Sequence, residues 1–106
     1  MGGFFNINTT TGILNMTKAI ISKDAIGNYT STAYPKLFKK VGEKGLLHIQ
    51  KHDEDAANII ANLDECDEVT YVGYSEVKSK YPDIIASFVD CKNGKRFYVI
   101  NRQLEK

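Results

Sequence analysis

The stretch Ile84-Ile85-Ala86-Ser87-Phe88-Val89-Asp90-Cys91-Lys92-Asn93-Gly94-Lys95-Arg96-Phe97-Tyr98-Val99-Ile100-Asn101 decides the fold. Two runs rich in β-branched and aromatic residues, Ile84 to Cys91 and Lys95 to Asn101, flank Asn93-Gly94. That dipeptide suits a two-residue type I′ turn, because both central positions need positive φ. An antiparallel hairpin is expected. With Asn93 and Gly94 as the loop, Cys91 faces Arg96, Val89 faces Tyr98 and Ser87 faces Ile100, while Phe88 meets Val99 and Asp90 meets Phe97. Ala86, Phe88, Phe97 and Val99 then read as a core face. Ser87, Cys91, Arg96 and Tyr98 make a mixed face, either a site or an ordinary half-solvated sheet surface.

Moving upstream, Pro82 in Ser79-Lys80-Tyr81-Pro82-Asp83 favours an extended connection. Glu68 to Tyr74 alternates as a third strand, with Val69, Tyr71 and Gly73 on one face and Thr70, Val72 and Tyr74 on the other. Residues 36–64 carry a helical pattern, with Leu37, Phe38, Val41 and Ile49 on one side. Gly42 and Gly45 each weaken that helix by up to about 1 kcal/mol, which predicts a break or turn at Gly42-Glu43-Lys44-Gly45 and two short helices. A further helix is expected from Asp53, an N-cap, with Ala56, Ile59, Ile60 and Leu63 as its buried stripe. Before residue 36 the pattern favours strands and loops. Phe4 to Asn8 suits a short strand, Thr9 to Gly12 a turn, and Ile13 to Ser22 suits either helix or strand.

The expected class is therefore α+β: N-terminal helices packed on a small antiparallel sheet with a C-terminal Asn-Gly hairpin. The 106 residues fit one domain, with a strand- and loop-rich part (1–35), a helical part (36–65) and antiparallel strands (67–102). A composition of 42% hydrophobic and 25% charged residues is that of a globular chain. The net charge of +1 gives no global case for nucleic acid, so any electrostatic case rests on local clusters. Cys66 and Cys91 belong to no paired motif and read as two reduced thiols in a reducing compartment. No apolar run approaches the ~20 residues that span a bilayer, and no signal peptide is visible. A cytoplasmic location is expected. Met1-Gly2-Gly3 is read either as the start of a chain or as the cut end of a domain.

The two histidines are the chief candidates for chemistry. In His48-Ile49-Gln50-Lys51-His52 they stand four apart, on one helical face. Phased from Val41, both point along the apolar stripe. Partly buried, hydrogen-bonded imidazoles are one reading of that placement. A proton-transfer pair is the other, since imidazole titrates near neutral pH. A zinc site is the weaker option, because Ile49 stands where a His-Glu-x-x-His motif has glutamate. No metal and no cofactor are expected. Cys91 as a nucleophile is also weaker than Cys91 as a structural thiol. No phosphate-binding glycine loop and no Gly-x-Ser-x-Gly elbow is present. Lysines 36, 39, 40, 44 and 51 gather near the histidines, and Lys92, Lys95, Arg96 and Arg102 gather in the terminal hairpin. With Tyr71, Tyr74, Tyr81 and Tyr98, they read either as an RNA-binding inventory or as a solvated surface.

His48-Ile49-Gln50-Lys51-His52 on a helix, the acidic helix Asp53 to Glu65, and strands ending in Asn93-Gly94-Lys95-Arg96-Phe97-Tyr98-Val99-Ile100 together resemble a known pattern. It is that of the barnase–EndoU–colicin–RelE-like ribonuclease superfamily, in its small phage and prophage form. The resemblance spans residues 36–102. It implies helices on an antiparallel sheet and metal-independent cleavage of RNA by attack of the ribose 2′-hydroxyl on the adjacent phosphate. It would make His48 and His52 the proton-transfer groups and Arg96 the charge stabiliser, with Lys51, Ser87, Lys95 and Tyr98 binding substrate. The resulting expectation is a ribonuclease or RNA-binding domain of toxin or phage type. The alternative is a non-catalytic interaction module, such as an inhibitor or immunity-type partner. A nuclease brings a histidine and a cation together in a cleft. An interaction module has dispersed histidines and an exposed apolar patch.

Overall fold

Ile20–Ile21 forms β1, the helix α1 spans Pro35–Ala61, and the strands that follow are β2 (Glu68–Tyr74), β3 (Ala86–Cys91), β4 (Arg96–Ile100) and β5 (Gln103–Leu104). The structure, a computed structural model, describes residues 18–106. The strand and turn expected over residues 4–12 lie outside the described residues. The fold is α+β, with one helix packed against a five-stranded sheet of order β1-β2-β3-β4-β5. β1 runs parallel to β2, Ile20 beside Glu68 and Ile21 beside Val69. The sheet is therefore mixed and not purely antiparallel, because α1 provides a crossover from β1 to β2. The remaining pairs are antiparallel. Among the described residues no helix is long and apolar enough to cross a membrane.

One correction concerns α1. No second helix starts at Asp53, which is instead a buried residue inside one helix. The expected break is present and falls at Gly42, with φ 75° and ψ 179°, a conformation open essentially only to glycine. Gly45 stays helical and lies close against Val41 and Tyr81. A Cβ at Gly42 would meet no atom within 4 Å, so a substitution there would act through the backbone. Gly42→Ala should cost about 1–3 kcal/mol, read as a lower urea midpoint; an unchanged midpoint would mean that the kink is absent.

The turn between β3 and β4 differs from the expected one. Asp90 faces Arg96, Val89 faces Phe97 and Ser87 faces Val99, one residue out of the two-residue register. Cys91 N–H donates to the Lys95 carbonyl, and Gly94 N–H donates to the Cys91 carbonyl. Three residues, Lys92 to Gly94, thus form the loop, and only Gly94 takes a positive φ (93°), the geometry of a three-residue connection. Asn93 is held elsewhere. Its amide donates to the Glu65 carbonyl at 2.8 Å, and its N–H donates to Asp67 Oδ1 at 3.1 Å. The type I′ dihedrals appear one turn later, where Asn101 (φ 47°) and Arg102 (φ 65°) join Ile100 to Gln103.

The register shift re-sorts the faces. Ser87, Val89, Cys91 and Val99 are buried on the side of the helix, together with partly buried Phe97. Phe88, Asp90, Arg96 and Tyr98 lie on the outer face. In β2 a bulge between Val69 and Tyr71 lets both Val69 and Val72 face inward, which strict alternation forbids. Ala56, Ala57, Ile60 and Ala61 of α1 close the main core, with Leu37, Leu46 and Ile49 in a smaller one.

Cys66 and Cys91 form a disulfide, with Cα atoms 5.6 Å apart. This corrects the reading of two reduced thiols. Cys66 lies two residues before the start of β2, and pairing of Val69 with Cys91 brings the two cysteines together. The step from free thiols to a reducing compartment loses its footing.

Candidate functional site

Beyond Gly42 the buried stripe of α1 centres on Ile49, Ala56 and Ile60. At about 100° per residue, His52 lies roughly 60° from that centre and His48 roughly 100°. His52 is consequently fully buried, whereas His48 is exposed, with Nδ1 3.3 Å from the Tyr81 hydroxyl. Phasing from Val41 fails because the extended backbone of Gly42 resets the helix between them.

His52 belongs to a buried hydrogen-bond cluster with Asp53 and Ser87, all at 0% exposure. The Arg102 N–H donates to His52 Nε2 at 3.0 Å, which fixes Nε2 as the acceptor. The ring proton therefore sits on Nδ1 and is donated to Ser87 Oγ at 2.7 Å. Ser87 donates in turn to Asp53 Oδ1 at 2.5 Å, and the Tyr29 hydroxyl donates to Asp53 Oδ2 at 2.5 Å. Tyr74 N–H completes the chain by donating to the Tyr29 hydroxyl. Burial, with help from the Arg102 charge, pushes His52 down to about 4, so it is neutral here. Burial pushes the Asp53 carboxyl up, against the pull of its two hydroxyl donors. The Tyr29 phenol is raised by burial and by the neighbouring Asp53 charge.

A His/Asp/Ser cluster is consistent with a catalytic or binding site, and nothing in it is specific to RNA cleavage. The order of its members differs from a nucleophile triad. There the serine gives its proton to histidine and the histidine is oriented by aspartate. Here the serine stands in the middle and its proton is directed at the carboxylate. Each polar group that reaches the cluster has a partner, as buried polar groups require.

The other sequence-predicted site residues lie apart from this cluster. Arg96 is on the outer face, held by Asp90 (Nε–Oδ1 2.6 Å, Nη2–Oδ2 2.9 Å) and stacked 4.2 Å from the Phe88 ring centroid. Tyr98 is on the same outer face, with the Lys78 ammonium 4.6 Å from its ring centroid. Lys51 pairs with Asp55 at 3.4 Å on the exposed side of α1. Lys95 is exposed beside the turn, its N–H donating to Asn93 Oδ1. The fold thus brings together His52 and Ser87, and leaves His48, Lys51, Arg96, Lys95 and Tyr98 separate from them. Sequence reading missed Asp53, taken as a helix cap, along with Tyr29 and the backbone of Arg102. The available signal for Asp53 was its place between Ile49 and Ala56 on the apolar stripe.

A different feature is open to solvent. A groove of about 430 Å³ lies between the start of α1 and the outer edge of β2. Tyr29 and Tyr34 line one side, with ring centroids 4.7 Å apart; Tyr71 and Phe88 line the other, at 5.7 Å. Tyr74 completes a set of five aromatic rings. The Phe88 ring lies across Gly73, where an added Cβ would come within 2.6 Å of it. Gln50 fixes the Tyr29 side by accepting the Tyr29 N–H at 3.1 Å. A second hollow of about 300 Å³ shares Tyr74, Glu76 and Phe88, and reaches Arg96 and Tyr98.

No family model, curated protein or solved structure matches this chain.

Proposed function

We propose that this chain is a non-catalytic interaction module that takes a partner in its aromatic groove. The observation that carries this reading is the groove itself, an aromatic-lined concavity of ligand-binding size. Exposed apolar surface beside it points the same way: Tyr71 is 51% exposed and Val77 96%. The ribonuclease reading that the superfamily resemblance implies needs imidazole and guanidinium groups to converge on one phosphate. It draws little support from a buried His52, an exposed His48 and an Arg96 on the outer face.

The neighbouring hollow is poorly suited to stacked bases. Arg96 and Lys78 cover the Phe88 and Tyr98 rings on which bases would stack. Both cations are neutralised, by Asp90 and Glu105 respectively.

Selection of displayed random peptides on the immobilised chain tests the reading. Wild type should enrich a sequence class that Tyr71→Ala does not retain, while Tyr71→Ala melts at the wild-type temperature. Absence of enrichment, or enrichment that survives Tyr71→Ala, would remove the groove as the binding site. Incubation of the same protein with labelled RNA addresses the competing reading directly, since sustained cleavage lost in His52→Gln would favour the nuclease.

A further inference from the structure

We propose that the ligand of the groove is a proline-rich segment in polyproline-II conformation, flanked by an acidic residue. This rests on the interaction-module reading and specifies the partner's chemistry. The inference comes from what the groove can donate and accept. Among the described residues, the hydroxyls of Tyr34, Tyr71 and Tyr74 have no hydrogen-bond partner, and the Lys36 ammonium has no ion pair. The one carboxylate in the lining, Glu76, is already bonded to Lys40 at 3.2 Å. The Tyr29 hydroxyl is committed to Asp53. The groove therefore offers three open hydroxyls and a free ammonium as donors, and its one carboxylate already has an oxygen engaged by Lys40.

A segment with ordinary peptide N–H groups brings a donor at each residue, and each must find a hydroxyl, the second Glu76 oxygen or water to accept it. A proline-rich segment does not. Proline has no N–H, and a polyproline-II chain makes no internal hydrogen bonds, so its carbonyls point outward for tyrosine hydroxyls and an ammonium to meet. Its pyrrolidine rings pack on aromatic faces, and its fixed backbone loses little entropy on docking. The charge pattern adds the acidic residue. Lys36 is the groove's unpaired charge and it is positive, which selects an Asp or Glu beside the prolines and rejects a Lys or Arg.

Fluorescence anisotropy with labelled ten-residue peptides tests the proposal on the full chain. Three peptides are compared: one proline-rich with a flanking Asp, its Pro→Ala counterpart, and its Asp→Lys counterpart. Labelled oligouridine is a fourth probe. The proline peptide should bind, and Pro→Ala should weaken it by about tenfold or more, as should Tyr71→Ala in the protein. Lys36→Glu, an exposed change that leaves the core untouched, should invert the preference between the Asp and Lys peptides. Binding indifferent to Pro→Ala would overturn the ligand class, as would oligouridine binding more tightly through Tyr71. Either result would leave a groove that binds something else, so the module reading would survive. That reading falls separately, on an empty peptide selection.

Discussion

Replacing Cys66 and Cys91 together by serine should lower stability by about 3.5 kcal/mol. The bond closes a loop of sequence separation 25, and cross-linking a loop of that size restricts the unfolded chain by about that amount. For a domain of this length the melting temperature should fall by roughly 15 °C. Thermal melts of wild type with and without dithiothreitol check the result. Reductant should lower the wild-type melt towards that of the serine variant and should not move the variant. Equal melts in both conditions, with two titratable thiols per chain, would show that the bond does not form. The two sulfurs lie in the main core beside Val69 and Ala61, so Cys→Ala gives a second variant free of buried hydroxyls.

The second large effect is expected at His52. His52→Ala removes the donor to Ser87, strips the Arg102 N–H of its acceptor, and opens a cavity between helix and sheet. Buried losses of this kind sum to about 3–4 kcal/mol. The pH dependence carries the more specific signature. In the unfolded chain histidine titrates near 6.5, whereas burial holds native His52 at about 4. As pH falls through that window the unfolded state binds a proton that the native state refuses. Stability is therefore lost from about pH 6.5 down to about pH 4, by roughly 3 kcal/mol from this group alone. Asp53 acts in the opposite sense. Its raised native pKa means that the folded state takes up a proton before the unfolded state does, which offsets part of the loss. Urea midpoints at pH 7, 5 and 4 should fall steeply for wild type and much less for His52→Gln. Parallel curves for the two proteins would remove His52 as the source.

Much of this architecture is legible in the chain, and the illegible parts share a cause. The runs at Glu68–Tyr74, Ala86–Cys91 and Arg96–Ile100 show their strand character through β-branched and aromatic residues, and the helical stripe is visible from Leu37 to Ile60. What failed is phase. One extra residue at the β2 bulge, one extra loop residue before Lys95 and one extended glycine at 42 each shift everything beyond them. The loop shift depends on a distant partner. Asn93 gives up the left-handed region because its side chain docks on Glu65, and that contact exists only after folding. For the same reason the mixed face expected from Ser87, Arg96 and Tyr98 divides into a buried serine and two outer residues. The cysteine pairing was equally out of reach, because spacing along a chain does not report the distance between Cα atoms. The groove went unread for a similar reason: its rings come from Tyr29, Tyr34, Tyr71, Tyr74 and Phe88, scattered across 60 positions.

The supports of α1 are unevenly distributed along it. Past Gly42 the helix is tied to the sheet by His52 and Asp53, by the Arg102 turn and, just after its end, by the sulfur bridge. Ahead of Gly42 it begins without a side-chain cap and buries Leu37 alone. Opening free energies follow contacts of this kind, so the first two turns should exchange their amide hydrogens at lower cost than the rest. Those turns also carry one flank of the aromatic groove. The ligand proposed for the groove would have to hold that flank still, and part of its binding energy would go into doing so. Affinity for that ligand would then depend on backbone freedom at Gly42, a position outside the groove lining.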